Sequence, residues 1–344
     1  MIKVSIIIPC RNEEKHIIDA LNSIIYGDYS MTDMEILIVD GRSNDKTRDI
    51  VREFEKKHKQ IKLIDNPQQT VPYAMNYGIK EAKGDIIIRL DAHSIYPKDY
   101  ISQLIYWLDN LDADNVGGVI EPIFQDNNVK ANAIAYSSSH IFGVGNSKFR
   151  LQHESTEPLL VDTVPFGCFR AKVFEKVGLY DTDLIRNQDD ELNARIIQHS
   201  GKIYLIPTLK VKYYTRNSFS KLFKMFYQYG YFKPLVNKKL KKPATFRQFI
   251  PLLFVLFIII GGLLCLVTSF FNKFFLLIIC FYFIINFFVS IGISMKDKNF
   301  KLLPYLIVSF FVIHISYGLG YLRGIIDFII FDKSSESKNI NISR

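Results

Sequence analysis

Short apolar runs recur through the first part of the chain, each closed by polar residues. "VSIII" at 4–8, "EILIVD" at 35–40, "IKLID" at 61–65 and "DIIIRL" at 85–90 predict strands buried on both faces. Between them, apolar residues fall at helical spacing. Ile17, Ile18, Leu21, Ile24 and Ile25 make one stripe; Ile50, Val51 and Phe54 make another, with Ser43 or Asn44 as N-cap. A third helix starts near Pro72 and ends by Gly84. Strands alternating with helices predict an α/β fold with a mainly parallel sheet and helices on both faces.

Beyond residue 97 the pattern loosens. "DYISQLIYWL" reads as a helix, "NVGGVI" as a strand and "SSSHIFGVGNSKFR" as turns. "TVPFGCFR" at 163–170 is strand-like and leads into the short helix "AKVFEKVG". "RNQDDELNARIIQHSG" at 186–201 starts a helix with adjacent acids, which suit its dipole. "KIYLIP" and "KVKYYTR" read as closing strands.

From Phe249 the pattern changes in kind. Three blocks at 249–271, 274–294 and 302–322 are apolar all round and reach the roughly 20 residues that cross a bilayer. The third, with Pro304, His314 and "IIDFIIF" close behind, also suits a re-entrant or interfacial piece. The expected organisation is an α/β domain at 1–230, a basic juxtamembrane linker at 231–248, a membrane region at 249–331 and a polar tail at 332–344. In "NSFSKLFKMFYQYGYFK" (217–233), Phe219, Leu222, Phe223 and Phe226 fall on one side. That helix either lies in the membrane interface or packs on the α/β domain.

Overall composition averages over these two regimes: 344 residues, 49% hydrophobic, net charge +9. Much of the excess charge lies in "KKLKKPATFRQ" before the first block and in Lys296, Lys298 and Lys301 after the second, with Lys273 alone between the first two. Such a distribution predicts a multi-pass plasma-membrane protein with its α/β domain in the cytoplasm. It accounts for the charge by topology and attraction to membrane lipid, not by nucleic acid. Met1-Ile2-Lys3 runs straight into a strand, so no signal peptide is expected. Cys10, Cys168, Cys265 and Cys280 have no metal-ligand spacing and suit a reducing compartment.

Open parallel sheets bind ligands beyond the carboxyl ends of their strands. Pro9 to Glu13, Asp40 to Ser43 and Asp91 to His93 all stand there. Any one of them alone is an ordinary turn; three together mark a site.

These stretches carry a resemblance. "VSIIIPCRNEE", "ILIVDGRSND", "IIIRLDAHS" and "RNQDDELNARI" occur in the order found in the family 2 nucleotide-sugar glycosyltransferases, and are similar to the membrane-anchored, succinoglycan-biosynthesis type. The resemblance spans about residues 3 to 230. It implies a GT-A fold, transfer with inversion, and a divalent metal on the donor diphosphate. It implies that Asp40 contacts the base, that Pro9, Arg11 and Glu13 form the first nucleotide-binding loop, and that Asp91 and His93 stand at the two ends of the Asp-x-Asp motif. His93 is then a metal ligand or a turn residue facing solvent; as a ligand it predicts Mn²⁺ over Mg²⁺, because imidazole suits Mn²⁺ better.

An acceptor hydroxyl needs a base within hydrogen-bond reach. By resemblance that base is Asp189, with Gln188 where the family has Glu; Asp190 is the competing candidate. Met75 stands where relatives carry a phosphate-binding Arg, leaving Arg89, Arg11, Lys80 or the metal to supply that charge. Gly167 and Cys168 are candidates for the acceptor pocket.

The expected activity is transfer of a hexose from a UDP-sugar to a polyprenyl-diphosphate-linked saccharide in cell-surface polysaccharide assembly. A processive synthase is disfavoured: its Gln-x-x-Arg-Trp motif is absent, since the only tryptophan is Trp107. A polyprenyl-phosphate sugar transferase differs only in acceptor. A non-catalytic nucleotide-sugar-binding membrane protein is the third alternative, disfavoured by Asp40, Asp91 and Asp189 together.

Overall fold

The computed structural model describes residues 3–124, 128–243, 246–266 and 269–333. Most of the expected polar tail lies outside the described residues. Two compact units emerge, one of residues 1–121 with 151–214, the other of residues 122–150 with 215–344. The expected division at residue 230 was linear; here residues 122–150 join the C-terminal helices instead.

In the first unit, the uninterrupted apolar runs become the parallel half of the sheet. They are β1 (Val4–Cys10), β2 (Met34–Asp40), β3 (Ile61–Asp65) and β4 (Ile86–Arg89), in the order β3-β2-β1-β4. Helices α1 (Ile17–Ile25), α2 (Thr47–Lys57) and α3 (Val71–Glu81) alternate with them. β1 and β2 are buried along their whole length, as strands covered on both faces must be. Pro9 belongs to β1: it pairs in register with Val39, while pairing with β4 stops at Ile7, so its missing N–H costs no ladder bond on that side. α2 starts later than the Ser43 or Asn44 cap predicts, because the Ser43 hydroxyl bonds Asp40 and the Asp45 carboxylate takes the Thr47 N–H at 2.9 Å.

The rest of the sheet makes it mixed. It comprises β5 (Ser94–Ile95), β6 (Asn115–Pro122), β7 (Leu159–Leu160), β8 (Cys168–Arg170) and β9 (Ile203–Tyr213). β8 runs antiparallel to β4 and β6, and β9 antiparallel to β5 and β7. Helix α4 (Tyr100–Asn110) precedes β6. The two expected closing strands are one strand, β9. Pro207 lies between the stretch that pairs with β7 and the stretch that pairs with β5.

The second unit is helical. It contains α5 (Val129–Ser137), which the sequence did not announce, and α6 (Ile141–Val144), where the sequence suggested turns. Helices α7 (Ala171–Val177) and α8 (Gln188–Gln198) return to the first unit, and α9 (Phe219–Leu240), α10 (Ile250–Leu264), α11 (Ser269–Lys296) and α12 (Leu302–Gly324) complete the second. The expected linker at 231–248 is helical as far as Leu240. The break expected at 272–273 lies between Leu264 and Ser269, which places Lys273 inside α11. Residues 246–264, 271–296 and 302–330 are long and apolar enough to cross a membrane. α12 is one continuous helix with Pro304 in its first turn, followed by six π-helical residues.

α9 settles a second alternative. Its Leu222, Met225 and Phe226 are buried with Ile134 of α5 and Ile313 of α12, with Phe219 packed beside them. The apolar face thus meets the helical unit itself. A Cβ added at Gly230 would lie 2.0 Å from the Tyr317 carbonyl oxygen, and one at Gly320 would lie 2.1 Å from that of Tyr227. The two backbones touch, a contact that only small residues permit.

Candidate active site

The first two loops at the strand ends are laced together by side chains. The Asn12 N–H donates to Ser43 Oγ (2.8 Å), the Asn44 N–H to Asn12 Oδ1 (2.9 Å) and the Glu13 N–H to Thr47 Oγ1 (2.8 Å). Asn12 and Arg42 hold left-handed backbone conformations, φ 56° and 54°. Arg11 packs its side chain over Gly41, where an added Cβ would meet it at 3.4 Å. Its buried Nε has no hydrogen-bond partner among the described residues.

Asp40, expected to contact the base, closes β2. It is fully buried, and its carboxylate is satisfied from within by the Ser43 N–H (3.0 Å), the Ser43 hydroxyl, Arg48 Nη1 (2.9 Å) and the Cys10 thiol (3.7 Å). In this structure Asp40 organises the loop and anchors Arg48; no oxygen faces the crevice. Arg48 also reaches Asp65 (2.8 Å), the carboxylate at the end of β3, and that group is the one open to solvent. Asp65 is held below the ordinary carboxylate range, chiefly by its bond from Arg48.

The end of β4 carries the densest charge. Arg89 is buried, and its guanidinium is shared: Nη2 meets Asp91 Oδ1 at 3.1 Å and Nη1 bonds Asp189 Oδ1. The turn after β4 is pinned by Tyr96, whose hydroxyl accepts from the Asp91 N–H (2.7 Å) and donates to the Asp91 carbonyl (3.1 Å). His93 Nδ1 lies 3.3 Å from Glu13 Oε1, and Nε2 lies 3.1 Å from the Tyr213 hydroxyl. Burial alone lowers the His93 pKa, but Tyr213, Glu13 and Asp91 outweigh it and raise it to about 9. His93, expected as a metal ligand or a turn residue, is held in this structure between Glu13 and Tyr213 through its two ring nitrogens.

α8 brings in the second carboxylate. Asn187 precedes it at φ 62°, and Asp189, Asp190 and Glu191 fill its first turn. Arg195 clamps the helix: it binds Glu191 (2.6 and 2.8 Å) and donates to the carbonyls of Val177 and, at 2.7 Å, Leu179. Asn193 is tied to Asn115 of β6 and to Thr163, both at 2.8 Å. Asn76 of α3 grips the peptide of Tyr180 from both sides, at 2.8 and 2.9 Å. Asp189, 30% exposed, is the acid that reaches Arg89. Burial raises its pKa and the Arg89 cation lowers it; burial prevails. A carboxylate so placed is accessible and more basic than usual. Asp190 is half-buried in the same turn.

Gly167 and Cys168 do not line a pocket here. A Cβ on Gly167 would come within 2.5 Å of Asn115 Oδ1 and of the Phe169 ring, while its carbonyl accepts the Arg89 N–H at 2.9 Å. Cys168 is fully buried in β8, opposite Ile88 and Val116, and burial pushes its thiol pKa up. Met75 is buried. Of the cations named for the phosphates, Arg89 gives its terminal nitrogens to two carboxylates, Lys80 is exposed, and Arg11 and Arg89 each keep a buried Nε without a hydrogen-bond partner among the described residues. Arg48, Asp65, Asn76 and Tyr213 were not anticipated. Asp65 had a signal, since it closes a strand as Asp40 does; the others depend on long-range pairing.

Among the described residues no cluster of three or more His, Cys, Asp or Glu side chains could hold a metal. Asp91, 17% exposed, is the carboxylate that fits one. A single hard oxygen ligand suits a divalent ion that takes its remaining ligands from phosphate and water.

The Glycosyl transferase family 2 model matches residues 5–178. The dolichyl N-acetyl-alpha-D-glucosaminyl phosphate 3-beta-D-2,3-diacetamido-2,3-dideoxy-beta-D-glucuronosyltransferase of Methanococcus voltae is 35% identical over 244 residues, 69% of this chain and 74% of that protein. Succinoglycan biosynthesis protein ExoA of Rhizobium meliloti (strain 1021) is 32% identical over 268 residues, 76% of this chain and 78% of that protein. The mannosyltransferase PcManGT from Pyrobaculum calidifontis, solved in complex with GDP-Man and Mn²⁺, matches with a TM-score of 0.57 at 16% identity, covering 89% of this chain and 85% of its own. That likeness shows the fold.

Proposed function

We propose a donor, an acceptor and a mechanism for a chain that belongs to glycosyl transferase family 2 and is a glycosyltransferase. It moves a hexose from a nucleotide-diphosphate sugar, UDP-linked in the first instance, to a lipid-linked saccharide, with inversion. The observation that carries this reading is the placement of Asp189: a solvent-accessible carboxylate of raised pKa, joined through Arg89 to Asp91 at the strand ends.

In this mechanism Asp189 takes the proton of the acceptor hydroxyl. The freed oxygen forms a bond to the anomeric carbon, and the bond from that carbon to the diphosphate oxygen breaks. The nucleoside diphosphate leaves with the electron pair. Attack and departure on opposite faces invert the centre. Asp91 would hold a divalent cation, which when bound supplies neutralisation of the leaving diphosphate. The unpartnered Nε of Arg11 suits an anionic or carbonyl oxygen of the donor. Asp65 and Arg42, paired at 3.4 Å, border the nucleotide end.

The acceptor is argued from the relatives and the apolar helices. One relative's name specifies a dolichyl N-acetylglucosaminyl phosphate, a lipid that already bears a sugar, and another's specifies succinoglycan biosynthesis. The first favours a saccharide on a lipid over bare polyprenyl phosphate. Helices able to cross a membrane suit such an acceptor, with the catalytic unit on the cytoplasmic side.

The test presents radiolabelled UDP-glucose, UDP-galactose, UDP-GlcNAc and GDP-mannose to membranes containing the protein, with polyprenyl-diphosphate-linked saccharide or polyprenyl phosphate added. Label from one donor is expected in the lipid phase with the saccharide acceptor, and none with an Asp189→Asn protein. Label in polyprenyl phosphate alone transfers the assignment to that acceptor. No label from any donor sinks the reading.

A further inference from the structure

We propose that Arg89 is a positioning residue for the transfer reaction, a two-pronged spacer that holds the base Asp189 and the donor-side carboxylate Asp91 in one fixed geometry. The inference rests on Asp189 being the base.

Arg89 ends β4, an inner strand paired with β1 and β8, and its own N–H is bonded to Gly167. Its backbone is therefore among the most constrained near the site. The side chain is 9% exposed, and its two terminal nitrogens part company, one to Asp91 and one to Asp189. The carboxylates come from unrelated elements, the turn after β4 and the first turn of α8. Each is held independently, Asp91 through Tyr96 and α8 through Arg195, Asn193 and the Val177 and Leu179 carbonyls. Arg89 is the group that bonds both.

The guanidinium is planar and presents its N–H donors in a rigid fork, whereas an ammonium is a point charge on a flexible stem. A lysine keeps the charge but cannot set the spacing of two acids. Without any cation, the two carboxylates repel across a partly desolvated gap, and the base loses its orientation. Misplacing a reacting group by about 1 Å costs on the order of 100-fold in rate. The rival role, a cation for the donor diphosphate, predicts a different signature: loss in donor affinity, with turnover at saturating donor retained.

The experiment uses the full chain in detergent, with kcat and donor KM measured beside binding of UDP by calorimetry. Arg89→Lys is expected to lower kcat about 10- to 100-fold while donor KM and UDP affinity stay within about threefold. Arg89→Ala is expected to lose more, and about 20 mM guanidinium should restore at least about fivefold of its rate while leaving Asp189→Asn unchanged. The proposal is overturned if Arg89→Lys turns over within about threefold of the parent, or if its loss lies in donor affinity. Should Arg89→Ala fail to fold, Arg89→Lys decides alone. An active Asp189→Asn protein would overturn the base assignment itself. An inactive Asp189→Asn beside an unimpaired Arg89→Lys overturns only the inference.

Discussion

The two units keep buried polar groups by opposite means. In the catalytic unit, charges are buried against charges: Arg89 with Asp91 and Asp189, Glu13 with His93, Asp40 with Arg48. In the helical unit, hydroxyls fold back on their own helices: Ser294 onto the Ser290 carbonyl (2.8 Å), Ser309 onto that of Tyr305 (2.7 Å), Ser316 onto that of Val312 (2.6 Å). Its helices approach through glycine, at Gly230 and Gly320, and Lys238 of α9 also pairs with Asp332. An apolar surrounding obliges each helix to satisfy its own polar groups, and close packing then joins the helices. A catalytic crevice needs the reverse, fixed charges that point outward. Asp327 is the informative exception. Buried in the π-helical stretch after α12, it is held by Arg323 (3.0 Å), Lys333 (3.1 Å) and Tyr231 (3.0 Å), the manner of the other unit at the end of a span.

If charge carries function in one unit and shape carries stability in the other, substitutions should separate. The largest effect is expected at Asp189. Asp189→Asn removes the base and should lower kcat by about 10²- to 10⁴-fold with UDP binding retained. In the parent enzyme the base must be ionised, and burial raises its pKa. Activity should therefore fall with decreasing pH through a limb above the usual aspartate range. A kcat/KM profile flat down to the ordinary aspartate value would contradict this.

The next effect belongs to shape. Gly320→Leu drives a side chain into the Tyr227 carbonyl and should cost about 3 kcal/mol or prevent assembly of the helical unit. Gly262 is the control, since nothing lies within 4 Å of an added Cβ. Gly262→Ala should be neutral or gain up to about 1 kcal/mol of helix propensity. Thermal midpoints in detergent compare the two. Equal midpoints for both variants would end the claim that backbone contact holds α9 to α12.

Arg48→Met tests buried charge without chemistry. It leaves Asp40 fully buried with only its Ser43 and Cys10 bonds, and a loss of about 2 kcal/mol is expected. At a wild-type midpoint the buried-pair account of that loop would fail.

How far the chain announces all this depends on the range of the interaction. The parallel strands were legible because burial on both faces writes an unbroken apolar run, and the candidate acids were legible because they close those runs. Asp189 was legible as an acid at a helix start. The partners of His93 were not: Glu13 is a loop residue far upstream and Tyr213 lies 120 residues downstream. Pairings of that span leave no local trace, so a ligand role and a structural ion pair look alike in "LDAHS". α5 was missed because its residues are small and buried on several sides, which blurs any stripe: Ala131, Ala133, Ile134, Ala135 and Ser137 are all covered. The break before α11 was misplaced because Asn272 and Lys273 look like a loop by polarity, yet lie within a helix. Polarity marks a turn only where the backbone also has reason to stop.

The smallest effect is expected where an ion pair has good geometry and no burial. Lys62 and Glu81 meet at 2.7 Å, closer than Arg48 and Asp40 at 2.9 Å, but their side chains are 55% and 51% exposed against 25% and 0%. By distance alone, Lys62→Ala should be the more damaging of the two. By burial it should cost no more than about 0.5 kcal/mol, because water solvates both partners when the bridge is gone. Thermal midpoints of Lys62→Ala and Arg48→Met, measured side by side at low and at high salt, decide between the criteria. A Lys62→Ala loss that equals that of Arg48→Met, and that vanishes in salt, would show that exposed charge also holds this unit together. A parent-like midpoint at both salt concentrations would leave burial as the property that gives a charge its weight.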